Sequence, residues 1–179
     1  MKKLIPLFAL TAFSAPALAA DTDGFYGSVG GGLYRLESGA FDNVSPSTKI
    51  LGGYAFNDKL ALESSYTRLF KSSELIEGAR VDIDGNVWDL STKLSYPLSN
   101  RFSPFMRLGY SYVDLSALIT ESGVSERFND YDNAYTWAVG SAINLNRRFN
   151  VSGEFARTMI NEGDLDFLTI RLNYGFGAQ

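Results

Sequence analysis

The sequence contains no cysteine and no histidine. Without cysteine the chain has neither a disulfide framework nor a thiolate zinc site, and without histidine it lacks Ser-His-Asp chemistry and imidazole metal ligation. Basic residues are outnumbered: 16 Lys and Arg stand against 20 Asp and Glu, a net charge of −4. That balance argues against nucleic acid, whose phosphates select basic surfaces. Long hydrophobic runs are missing too. No segment approaches the roughly 18 uninterrupted apolar residues of a membrane-crossing helix, and no apolar pattern holds helical spacing for three turns.

What remains is 179 residues, 45% hydrophobic and 20% charged, which suits one folded domain. Lys2 and Lys3 precede an apolar stretch from Leu4 to Phe13, and small residues follow as Ala17-Leu18-Ala19-Ala20 before Asp21. This is the pattern of a secretory signal. Residues 1–20 are therefore expected to be an export segment and 21–179 the mature domain, with cleavage after Ala19 or Ala20. Losing Lys2 and Lys3 would move the net charge from −4 to −6.

The rest of the chain alternates with period two, which in a strand sends successive side chains to opposite faces. Phe25, Val29 and Leu33 oppose Tyr26, Ser28, Gly30 and Gly32; Ile50, Tyr54 and Phe56 oppose Lys49, Gly53 and Ala55. Leu60, Leu62, Tyr66 and Phe70 oppose Ala61, Glu63, Ser65 and Thr67. The same rule runs through 86–96, 102–113, 134–145, 149–156 and 168–176. Eight strands result. Short connections, such as Asn57-Asp58, Pro97 to Asn100 and Asn146 to Arg148, alternate with long ones at 37–46, 71–85 and 114–132. An even strand count with tight turns at one end and long loops at the other predicts an all-β, eight-stranded antiparallel transmembrane β-barrel.

A soluble barrel of eight strands would point its apolar side chains inward, whereas here the apolar faces carry two levels of aromatics. Tyr54, Phe56, Tyr96, Phe102, Phe149, Tyr174 and Phe176 lie toward the turns, and Tyr66, Phe70, Trp88, Tyr112, Tyr135 and Trp137 toward the loops. Two such levels fit interfacial girdles around a lipid-facing band. The opposite faces then turn Glu63, Asp89, Lys93, Arg107, Glu154 and Arg171 into a narrow interior, with Lys49 nearer one side. Charges there must pair, since a lone buried ion is costly. The set reads first as a structural ionic plug and second as the lining of a charge-selective pore.

At this point the sequence resembles the small eight-stranded outer-membrane barrels, the OmpA-like transmembrane domain and the OmpX/Ail group. The resemblance rests on the Ala-Leu-Ala-Ala end of the export segment, the glycine-rich Gly27-Ser28-Val29-Gly30-Gly31-Gly32, and the final Leu168-Thr169-Ile170-Arg171-Leu172-Asn173-Tyr174-Gly175-Phe176. That last run is similar to the assembly signal of outer-membrane proteins, though Gly177-Ala178-Gln179 follows the aromatic that usually ends the chain. The resemblance implies an ionic network of Glu63, Lys93, Arg107, Glu154 and Arg171. It also implies a Gram-negative outer-membrane location and roles in adhesion, invasion, resistance to host defence or envelope integrity.

Enzymatic relatives with this strand count, the lipid A deacylases and palmitoyltransferases, use a histidine that this chain lacks. Asp82/Asp84 and Asp164/Asp166 read as solvated strand ends before they read as hydrolytic pairs. No enzyme activity, cofactor or metal is expected. The long connections and 161–166 hold 14 acidic and 3 basic residues, an acidic rim suited to hydration or to divalent cations bridging lipopolysaccharide phosphates. Phe41, Leu75, Ile76 and Phe128 are the candidate loop contacts, because loops on a rigid scaffold carry function. The expected reading is a monomeric surface protein set among outer-membrane lipids and lipopolysaccharide. Its loops would meet a host-surface or extracellular-matrix protein, or another envelope molecule. The alternatives are a small passive porin-like channel and a structural envelope-integrity protein.

Overall fold

A computed structural model describes residues 24–38, 41–76, 79–121, 124–161 and 163–176; the expected export segment, 1–20, lies outside them. Eight strands follow in order: β1 (Gly24–Ser38), β2 (Phe41–Ala55), β3 (Leu60–Ile76), β4 (Ala79–Ser95), β5 (Phe102–Glu121), β6 (Val124–Asn144), β7 (Phe149–Ile160) and β8 (Gly163–Gly175). Each pairs with its sequence neighbour, and β1 pairs antiparallel with β8 from Tyr26↔Gly175 to Glu37↔Asp164. The sheet closes into the all-β antiparallel barrel that the alternation predicts.

Polar side chains set the tight turns. Asn57 Oδ1 accepts from the amides of Lys59 and Leu60, both at 2.9 Å, and Asn146 Oδ1 from those of Arg148 and Phe149, both at 2.8 Å. Ser99 Oγ does the same for Arg101 and Phe102 at 3.3 and 3.1 Å. Short Asn and Ser side chains imitate a backbone turn in this way.

The other end differs from the loops read in the sequence. Segments 37–46, 71–85 and 114–132 are mostly strand: β1 stays paired to β2 out to Ser38↔Phe41, β3 to β4 out to Ile76↔Ala79, and β5 to β6 out to Glu121↔Val124. They are tall hairpins. The polar side chains there satisfied a loop reading, yet alternation continues across the band's edge: Val81 and Ile83 on β4 and Leu115 on β5 are half-buried against the apolar cluster below. A register shift between Leu69 and Ser72 is what broke the pattern in β3, because a bulge offsets which face later residues occupy.

Large apolar side chains cover the outside. Phe25, Val29, Ile50, Leu62, Trp88, Leu90, Leu108, Tyr135, Val139, Leu168 and Ile170 are all exposed, an arrangement that water disfavours and a bilayer rewards. Glycine admits two close approaches at the β1–β8 seam. A Cβ on Gly32 would lie 1.9 Å from Leu168 O, and one on Gly30 2.5 Å from Cγ of Arg171, whereas one on Gly31 would meet only Ser47 O at 3.5 Å. Gly32→Val should therefore cost about 3 kcal/mol and disturb closure, while Gly31→Val should be tolerated. Heat-dependent gel mobility of the refolded barrel checks this, with only the Gly31 variant keeping the compact form.

Candidate functional site

The interior is built in two layers. In the lower layer Arg107, on β5, sits at the centre with its side chain 1% exposed. Its Nε and Nη2 donate to Glu154 Oε2 and Oε1, both at 2.8 Å, a bidentate fork that reaches over β6 to β7. Nη1 donates to Ser91 Oγ at 2.9 Å, Asp89 Oδ1 at 3.1 Å and Glu63 Oε2 at 3.3 Å. One guanidinium thus gathers three carboxylates from β3, β4 and β7, which suits its planar array of five donors.

The other cations close the set. Arg171 Nη2 donates to Glu154 Oε2 at 3.0 Å, Lys49 Nζ lies 3.5 Å from Glu154 Oε1, and Lys93 Nζ lies 3.5 Å from Glu63 Oε1. Lys93 also rests 4.6 Å from the centre of the Phe105 ring, a cation–π contact. The structure therefore brings Glu63, Asp89, Lys93, Arg107, Glu154 and Arg171 together and adds two members. Lys49, set apart in the sequence reading, is buried against Glu154, and the Tyr26 hydroxyl donates to Glu63. The inward position of Tyr26 was legible; its reach to β3 was not. Hydroxyls extend the network from Asp89 Oδ2 to Ser111 Oγ at 3.3 Å, and on through Thr136 and Thr158 at 2.6 and 2.7 Å.

Above this lies an apolar layer that sequence reading did not single out. Tyr34, Leu36, Leu69, Val87, Val113, Ala134, Leu165 and Phe167 are buried together at the outer mouth. Their inward direction follows from the same alternation as the charged set, but only closure puts them at one height. Charge below and hydrocarbon above both project into the bore, which in an eight-stranded barrel is narrow enough for side chains to fill.

The rim is acidic and ion-paired. Asp82 is held by Lys71 Nζ at 2.6 Å, Ser73 Oγ at 2.6 Å and Arg80 Nε at 3.0 Å. Bonds from Lys71 and Ser73, then Arg80, hold its carboxyl far below the usual carboxylate range. Asp84 accepts from Arg68 at 2.8 Å, and Asp164 and Asp166 both face Arg157 at 3.3 and 2.6 Å. The two acid pairs thus serve as partners for cations. Among the described residues no group of three or more acidic side chains is placed to hold a metal.

Of the candidate contacts, Phe128 on β6 is 49% exposed. Phe41 opens β2, and Leu75 and Ile76 close β3; their side chains lie outside the described residues.

The family model for the outer membrane protein beta-barrel domain matches residues 5–176. The chain belongs to that family. Among solved structures it is similar to the Neisserial surface protein A, with 15% identity, a TM-score of 0.67, and coverage of 86% of this chain and 97% of that one. Ail, the attachment invasion locus protein of Yersinia pestis, aligns with 17% identity and a TM-score of 0.63 over 87% of this chain and all of the other. OprG of Pseudomonas aeruginosa aligns with 12% identity and a TM-score of 0.61, over 87% and 98%. No curated protein sequence matches. At these identities the likeness is one of fold. Together with the apolar belt and the family, it makes this a Gram-negative outer-membrane barrel, surrounded by lipid and lipopolysaccharide.

Removing the central guanidinium would leave three buried carboxylates short of partners. Arg107→Met should lower the unfolding free energy by about 3–5 kcal/mol. Lys93→Met should cost less, because the Lys93 side chain keeps 16% exposure. Urea unfolding of barrels refolded in lipid vesicles measures both, and a loss under about 1 kcal/mol for Arg107→Met, the scale of an exposed ion pair, would contradict the plug.

Proposed function

We propose that this protein is a non-enzymatic surface barrel that contacts host or envelope molecules through its projecting hairpins. The observation that carries the reading is the contrast between bore and rim. The bore is filled by an ion-paired layer under an apolar one, while β3 to β6 continue as a paired sheet up to Ile76↔Ala79 and Glu121↔Val124. A passive pore needs a continuous wetted path, and both layers oppose one. Because β1 pairs with β8 of the same chain, the barrel completes its hydrogen bonding alone, which supports a monomer.

Ail has been crystallised with a heparin analogue. A polyanion is not the partner that this rim favours, since its outer connections hold 14 acidic and 3 basic residues. A partner with basic character suits it better.

The test compares bacteria displaying the intact barrel with bacteria displaying a form in which 71–85 and 114–132 are replaced by short turns. Surface levels are matched, and binding to epithelial cells and to purified receptor proteins is counted. Loss of binding with retention of the heat-modifiable barrel is the expected result. Equal binding by the two forms would overturn the reading and favour a structural role in the envelope.

A further inference from the structure

The two ends of the barrel treat their cations in opposite ways. Toward the rim, each cation whose side chain is described has an acidic partner within the chain: Arg35 with Glu37, Arg68 with Asp84, Lys71 and Arg80 with Asp82, and Arg157 with Asp164 and Asp166. The tight turns at the other end hold Lys59, Arg101, Arg147 and Arg148 against a single acid, Asp58. All four cations are exposed. Among the described residues, none of their side chains has an ion pair or a hydrogen bond.

Three of the four stand at equivalent positions. Asn57-Asp58-Lys59-Leu60, Ser99-Asn100-Arg101-Phe102 and Asn146-Arg147-Arg148-Phe149 share one pattern: a capping side chain, one free residue, a cation, and the large apolar residue that opens β3, β5 or β7. The backbone of each cation is fixed on both sides. Its amide is held by the cap. Its carbonyl accepts from the next strand, Lys59 O from the Ser95 amide at 2.8 Å, Arg101 O from the Asn144 amide at 2.8 Å, and Arg148 O from the Gly175 amide at 2.9 Å. The turn needs the cap oxygen and these backbone bonds, and a neutral residue at the third position would make them equally well. The charges are thus free for a partner outside the chain.

The aromatics set their depth. Phe102 and Phe149 directly follow Arg101 and Arg148, and Phe149, Tyr174 and Phe176 pack ring against ring, with centres 5.0 Å apart at each step. Rings of such a girdle sit at the headgroup level. One or two residues further on, at about 3.3 Å each, the cations reach the phosphate layer. Leu98 and Leu145, exposed in the same turns, supply apolar anchors beside them. Long Lys and Arg stems can lie along apolar surface while the charge reaches outward.

Short turns of outer-membrane barrels lie on the periplasmic side, where the leaflet is phospholipid. Basic residues flanking an apolar band attract anionic headgroups, and a guanidinium matches phosphate oxygens with paired donors. A second copy of this end would set like charges together. We propose that the turn face is a docking surface for anionic phospholipid, with Lys59, Arg101, Arg147 and Arg148 taking the phosphodiester oxygens of inner-leaflet headgroups. This goes beyond surface contact by the hairpins and does not depend on it.

The test uses spin-labelled phosphatidylglycerol and spin-labelled phosphatidylcholine, each added in trace to the barrel refolded in phosphatidylcholine vesicles. The motionally restricted fraction of each label gives their relative association with the protein. Wild type should favour phosphatidylglycerol at least twofold at low salt, and about 0.5 M NaCl should reduce the preference by screening. The combined variant Lys59→Gln, Arg101→Gln, Arg147→Gln and Arg148→Gln should bring the ratio to about one, whereas Arg101→Lys with Arg148→Lys should keep it near the wild-type value. Both variants retain the caps and backbone bonds, and heat-dependent gel mobility confirms that they fold. Equal restriction of the two labels by wild type, or an undiminished preference in the glutamine variant, would overturn the proposal. Cosedimentation of wild type with cell-wall sacculi, lost in the glutamine variant while the lipid ratio stays at one in both, would overturn it in favour of a cell-wall contact.

Discussion

Hydrocarbon offers no hydrogen-bond partners, so within a bilayer every strand must find a neighbour on both sides. The rest of the structure depends on this constraint. It requires β1 to meet β8, and that closure requires glycine at 30 and 32, where the two strands leave no room for a Cβ against β8. Above the membrane the constraint lapses. There, among the described residues, β2 separates from β3 and β6 from β7, and a sheet without an edge in the lipid acquires two in water.

Closure also creates the interior, and the interior explains why the barrel is better read as a scaffold than as a conduit. Side chains from β2, β3, β4, β5, β7 and β8 converge on Arg107 and Glu154. Such a cluster is expensive to desolvate and is retained where its geometry is good and each carboxylate is multiply bonded. The fork from Arg107 to Glu154 bridges over β6 and ties β5 to β7, while Arg171 and Lys49 join Glu154 from β8 and β2. An apolar layer around Tyr34, Leu69 and Phe167 lies above it. Rigidity in the band then lets the rim vary, which is where a surface protein meets its partners.

Most of the band was legible in the sequence because alternation with period two assigns each residue a face. It placed Glu63, Asp89, Lys93, Arg107, Glu154 and Arg171 inward and Trp88, Tyr135 and Phe176 outward without any structure. It did not give height around the barrel. Strand stagger, which single strands do not encode, is what brings Lys49 to Glu154 and Tyr26 to Glu63 and sets Tyr34 beside Phe167. The rim was the least legible part. Polar composition in 71–85 and 114–132 reads as loop, but each arm of these hairpins is paired to its mate by backbone bonds that composition does not report. The free edge of β6 follows from a difference in length: β7 stops at Ile160 while β6 extends to Val124, so it is visible only once the ladders are aligned.

The central claim is that one sheet is closed in the membrane and open above it, with alternate amides of β6 unpartnered at the rim. Amide hydrogen exchange of the wild-type barrel in lipid nanodiscs, resolved residue by residue along β6, tests it most directly. Slow exchange is expected throughout 135–143 and an alternating pattern above, with Phe128, Asp130 and Asp132 protected by β5 and Asn129 and Tyr131 exchanging fast. Uniform protection of 128–132, or fast exchange within 135–143, would contradict it.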